Sequence, residues 1–129
     1  MARAPLRSPL GRAIGLGSAK EGVEHWWMQR VTAVALVPLT IWFVAALIGH
    51  LGLGYADARR WLHAPGVAIP MMLLVVATFV HMALGLQVVI EDYVHRESTK
   101  VVSLVLVRLA CWAVGAAALF AVLRVGFGG

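Results

Sequence analysis

The residue most able to do chemistry is His81, because of where it falls in the sequence. It lies within an uncharged apolar run from Gly66 to Ile90, twelve residues ahead of Tyr93. As helix that spacing is about 18 Å, which from an interfacial tyrosine passes the midplane of a bilayer core of roughly 30 Å. An ionisable side chain at such depth faces a bundle interior and has a partner. Two chemistries suit it: a neutral imidazole can hydrogen-bond a neighbouring helix, or a ring nitrogen can ligate a metal or haem iron. The surroundings favour the second. Gly85, one turn on, leaves a slot on the same face where a flat macrocycle could approach the backbone. Thr78, Val88 and Asp92 continue that face at helical spacing.

The chain offers no second axial ligand at the same depth. His50 ends the first apolar run, roughly 12 Å further along the membrane normal than His81 by helical rise. His25 precedes that run, and His63 and His95 fall in loops. A bis-histidine haem would take its other ligand from another polypeptide. A second polar group is expected at the membrane edge, where Arg30 opens the first helix behind His25, Trp26 and Trp27, and Asp92 and Tyr93 close the second. Arg30 and Arg108 can be plain cationic anchors and Tyr93 an ordinary interfacial aromatic. The same residues can also form a polar pocket for a lipophilic ligand with a polar head. A phenol donates a hydrogen bond to a quinone carbonyl, and a carboxylate orients an arginine or relays a proton. Spacing alone leaves both readings open.

The elements that must hold these residues follow from composition. Of 129 residues 61% are apolar and 13% charged, and the mean hydropathy is +0.86. This lies far from a water-soluble domain or a disordered chain. The single cysteine, Cys111, excludes an intrachain disulfide framework and any multi-cysteine zinc or iron–sulfur site. A net charge of +5 is also found in nucleic-acid-binding chains, but few basic residues lie close together here, so the charge reads as membrane topology.

Three runs are long enough to cross a bilayer as helix, at about residues 30–53, 66–91 and 101–125. Three isolated strands could not close a barrel, so the fold class is an all-α membrane protein with three transmembrane helices. Arg3, Arg7, Arg12, Lys20 and Arg30 before the first span, with Arg96 and Lys100 after the second, outweigh Arg59, Arg60 and Arg124. That excess puts the N-terminus inside. Residues 1–28 are expected to be a cytoplasmic tail, rather than a transit peptide or secretory signal, and residues 29–126 a single membrane domain. Pro38 should kink the first helix, Pro70 is harmless in the first turn of the second, and Ala113, Ala117 and Ala121 form a small-residue stripe suited to close packing.

Two stretches carry a family resemblance. Gly22-Val23-Glu24-His25-Trp26-Trp27-Met28-Gln29-Arg30-Val31-Thr32-Ala33 is similar to a G-V-x(6)-R-x-T-A opening of a first membrane helix. His81-Met82-Ala83-Leu84-Gly85-Leu86-Gln87-Val88-Val89-Ile90-Glu91-Asp92-Tyr93 is similar, with one insertion-like difference, to a His–Gly–Gln-Val–Asp-Tyr pattern, and keeps its His-to-Tyr spacing of twelve. Together they resemble the D-type cytochrome b membrane-anchor subunit of succinate dehydrogenase, the succinate:quinone oxidoreductase of complex II.

The resemblance implies that His81 is one axial ligand of a haem b shared with a sister C-type cytochrome b anchor subunit. It implies that Arg30 lies near the haem propionates or the quinone pocket, that Tyr93 hydrogen-bonds ubiquinone, and that Asp92 supports that site. His25 is a further candidate for a propionate contact. The implied partners are the C-type anchor, an iron–sulfur subunit, a flavoprotein subunit and membrane lipid, with no nucleic acid. The chain would not be an enzyme on its own, since the flavoprotein oxidises succinate and this subunit helps pass electrons to quinone. The implied location is the inner (cytoplasmic) membrane of a cell, crossed several times, in preference to a mitochondrial inner membrane. The alternatives are a haem-free structural anchor, or the cytochrome b subunit of another respiratory oxidoreductase. A small transporter would want paired buried charges or broken helices, and the second span offers only His81 and Gln87.

Overall fold

The computed structural model describes residues 9–10 and 18–128. Each apolar run becomes one continuous helix: α1 (Ser18–Gly49, 32 residues), α3 (Pro65–Tyr93, 29 residues) and α4 (Glu97–Phe127, 31 residues). All three are long and apolar enough to cross a membrane, and lipid leaves them no other state in which every backbone group is bonded within the segment. A short helix α2 (Tyr55–His63, 9 residues) links α1 to α3.

The bounds of α3 and α4 fall within a few residues of the expected 66–91 and 101–125. Those of α1 do not. The helix begins at Ser18 rather than near Arg30, so residues 18–28 of the expected tail are helical, while residues 1–8 and 11–17 lie outside the described residues. Lys20 to Gln29 is polar enough to end a hydropathy run, yet apart from Gly22 it holds nothing that opposes helix. α1 runs on through Pro38, whose missing N–H leaves the Val34 carbonyl without its usual partner. It stops at Gly49, where the Leu53 amide bonds the His50 carbonyl at 3.3 Å and Gly52 takes a φ of 89°, a conformation costly for any residue with a Cβ. Pro65 starts α3 at a position where its lack of a donor costs nothing.

α3 is the middle of the structure. α1 and α4 each pack along it, and among the described residues they do not pack on each other, so the spans form an open arc. The α3–α4 seam is close at Gly115: a Cβ there would stand 3.0 Å from the Phe79 Cγ. Ala113, Ala117 and Ala121 are all exposed, so the small-residue stripe faces away from the chain's own packing. α2 crosses the end of the arc near His63. Its Trp61 stacks on Trp42 of α1 at 6.5 Å and lies 4.5 Å from the His50 ring, while the His63 Nδ1–H donates to the Gly126 carbonyl of α4. Only 6% of the most apolar window in each span is buried. The remaining apolar surface is left for lipid or for other polypeptides.

Candidate functional site around His81

His81 sits near the middle of α3, and Thr32 near the middle of α1. Their side chains meet: His81 Nδ1 lies 3.0 Å from Thr32 Oγ1. Thr32 is the buried polar residue of the described core, 7% exposed, and its hydroxyl is also 2.8 Å from the Met28 carbonyl and 3.1 Å from that of Gln29. A second approach lies one turn along, where Gln29 Nε2 is 3.9 Å from the position a Cβ on Gly85 would take. Thr32 with His81 and Gln29 with Gly85 fix an antiparallel register between the two helices.

That register corrects the expected level of Arg30. Two residues from Thr32, it lies about 3 Å along the axis from the level of His81, and so about 15 Å short of Tyr93. The part of α1 level with Asp92 and Tyr93 is its Glu21 end. Position 30 was expected to open the first span, whereas α1 begins at Ser18 and its membrane-capable stretch at Glu21. The convergence of Arg30, Asp92 and Tyr93 at one level is therefore absent. Arg30 is exposed, on the side of α1 turned away from Thr32, with its guanidinium 5.5 Å from the centre of the Trp26 ring. Asp92 and Tyr93 end α3, both exposed, and Asp92 forms no ion pair among the described residues.

His25 lies on the Gln29–Thr32 side of α1, two turns from Thr32. Its Nε2 is buried without a hydrogen-bond partner among the described residues. Thr78 and Val88 of the expected His81 face are exposed, as a face awaiting an external partner would be. Arg108 lies elsewhere, lining a groove of about 250 Å³ between α3 and α4 with Phe79, Leu84, Cys111 and Trp112.

Among the described residues no three metal-ligating side chains gather, so the chain holds no chelating metal site of its own there. A haem asks for less, because its macrocycle fills four positions on the iron and the protein adds an axial imidazole. His81 is suited to that task. Its Nδ1 is engaged by Thr32, and among the described residues no hydrogen bond engages Nε2. Gly85 fits as well, since packing within this chain does not require a glycine there: its Cβ would meet one atom at ordinary contact distance, unlike that of Gly115.

Thr32 is the member of the site that sequence reasoning missed. The signal was a hydroxyl within an apolar span, which needs a polar partner in lipid. Depth counted from Arg30 as a boundary put it far from His81.

The family described as succinate dehydrogenase/fumarate reductase transmembrane subunit matches residues 4–123. The chain is 35% identical over 121 residues to the succinate dehydrogenase hydrophobic membrane anchor subunit of Paracoccus denitrificans, covering 94% of this chain and 93% of the relative. It is 35% identical over 88 residues to the protein of the same description from Rickettsia bellii, covering 68% and 70%. The succinate dehydrogenase membrane anchor subunit of Reclinomonas americana is 31% identical over 94 residues, covering 70% and 78%. With three membrane-spanning helices and a match along nearly its whole length, the chain belongs to the family of succinate dehydrogenase/fumarate reductase transmembrane subunits.

Proposed function

We propose that this subunit binds one face of a haem b through His81, completes a quinone-reduction site with Tyr93, and holds a succinate dehydrogenase to the membrane. Membership of the family makes the chain a multi-pass membrane-anchor subunit; the proposal is what its residues do there. The observation that carries it is the state of His81. At mid-helix it has one ring nitrogen held by Thr32 and the other without a hydrogen bond among the described residues, with Gly85 one turn along. The haem supplies one-electron storage. In this chain His81 would hold it, and a further ligand would come from the C-type anchor.

Arg30 goes with the haem rather than the quinone, because it lies near the level of His81 and some 15 Å from that of Tyr93. A cation inside a span needs an anionic partner, and a propionate is one of matching chemistry. Tyr93, 77% exposed at the end of α3, can donate its phenol to a quinone carbonyl. Asp92 beside it can orient a neighbouring cation or hold a proton for the reduced quinone. The Tyr93 end would be the cytoplasmic face of the inner membrane, by the excess of Lys and Arg on that side. There the iron–sulfur and flavoprotein subunits would dock. Succinate oxidation belongs to the flavoprotein, so this chain is not an enzyme alone.

The rival reading is a haem-free anchor in which His81 only ties α3 to α1, and it draws on the same Thr32 contact. A reduced-minus-oxidised visible spectrum of the complex, purified through a tag on this chain, separates the two. A b-type band that disappears in His81→Ala, with flavin and iron–sulfur subunits co-purifying, is the expected result. Those subunits without a band would return His81 to a structural role, and absence of both would overturn the proposal.

A further inference from the structure

We infer that Thr32 is a positioning residue for His81: its hydroxyl selects the ring tautomer that presents Nε2 to the iron and sets the electron density of that ligand. The inference rests on the haem reading above. Its own basis is a count of hydrogens at one oxygen. The Thr32 hydroxyl carries a single hydrogen, and two carbonyls of its own helix compete for it, Met28 at 2.8 Å and Gln29 at 3.1 Å. A hydroxyl that donates to Met28 keeps lone pairs for a third group. The group within reach is His81 Nδ1 at 3.0 Å, which must then carry the proton.

The order of donation is thus His81 Nδ1–H to Thr32 Oγ1, and Thr32 O–H to the Met28 carbonyl. A neutral imidazole protonated on Nδ1 has its free lone pair on Nε2. The reverse tautomer would require Thr32 to abandon both carbonyls, and it would leave Nε2 protonated and unable to ligate. Thr32 is fixed for this duty by burial and by a helix that packs directly on α3. The acceptor is a neutral oxygen rather than a carboxylate. It therefore orients the imidazole and makes it more electron-rich, though by less than a carboxylate would, and outer partners of this kind tune both ligand basicity and the metal they face.

The test is the midpoint potential and haem content of the whole membrane complex carrying Thr32→Val, Thr32→Ala and Thr32→Ser. Valine and alanine both delete the acceptor, whatever else they do to packing. A less electron-rich imidazole favours ferrous iron, so both should move the haem potential in the positive direction and weaken haem retention several-fold. Serine restores the oxygen and should return both quantities to wild-type values. Wild-type potential and full haem in the valine and alanine complexes would overturn this inference while leaving His81 as ligand. A serine complex that behaves like valine would also overturn it, because packing rather than the hydroxyl would then matter. A wild-type complex without haem would overturn the underlying reading, and this inference with it.

Discussion

Two glycines on neighbouring seams should respond in opposite ways to the same added methyl group. At Gly115 a new Cβ would stand 3.0 Å from Phe79 Cγ, 3.2 Å from its Cβ and 3.4 Å from its Cδ2. Phe79 lies against the α3–α4 seam, so either the ring or one of the helices must move. Overpacking of this kind costs about 1–3 kcal/mol, against which alanine gains up to ~1 kcal/mol over glycine in a helix. The expected net effect of Gly115→Ala is a loss of about 1 kcal/mol, or about fivefold in the ratio of folded to unfolded chain. At Gly85 the new Cβ would meet only Gln29 Nε2, at 3.9 Å. Gly85→Ala should therefore leave helix packing unchanged or slightly firmer, while placing a methyl group where the proposed haem must approach. The assay is detergent unfolding of each purified complex, followed by tryptophan fluorescence, with haem content read from the visible spectrum. Gly115→Ala should unfold at lower denaturant and retain haem while folded. Gly85→Ala should unfold like wild type and lose haem. Equal unfolding midpoints for the two variants, or full haem in Gly85→Ala, would refute the steric reasoning.

Other expectations follow from single contacts. Tyr93→Phe should lower quinone reductase activity at least tenfold with haem content unchanged; loss of haem as well would point to general unfolding. Arg30→Leu should reduce haem content or shift its potential without raising the KM for quinone, and a raised KM with intact haem would return Arg30 to the Tyr93 site. His63→Ala removes the donor to the Gly126 carbonyl and should cost about 1 kcal/mol locally. Faster hydrogen exchange confined to the end of α4 and to α2 would register that loss, and unchanged exchange there would contradict it.

Much of this molecule is legible in its amino-acid sequence. Hydropathy located α3 and α4 because insertion into lipid is decided residue by residue, and each helix outruns its apolar run by no more than about one turn. It misjudged α1 because a helix, once formed, extends through polar residues that bond their own backbone, as Lys20 to Gln29 does. The helix α2 was missed for a related reason: nine residues mixing Asp57, Arg59 and Arg60 with Trp61 and Leu62 average to nothing in a window of membrane length. His81 stood out as an ionisable residue in an uncharged run. Its partner did not, because the register of one helix against another is fixed by packing and leaves no mark in composition. Taking Arg30 as level with Tyr93 displaced Thr32 and His25 along α1 relative to His81.

The open arc has a consequence for the life of the subunit before assembly. A helix pair in lipid is held by shape and by polar contacts, since acyl chains solvate leucine and valine as well as a neighbouring helix does. An unassembled copy of this chain has two such seams, no contact between its outer spans among the described residues, and an exposed Arg30 that forms no ion pair among them. The expected outcome is that an unassembled copy opens more readily than an assembled one and is degraded faster. Its abundance should then follow the supply of whichever polypeptide closes the arc. Pulse-chase labelling with and without that co-expressed polypeptide would read this directly as a difference in half-life.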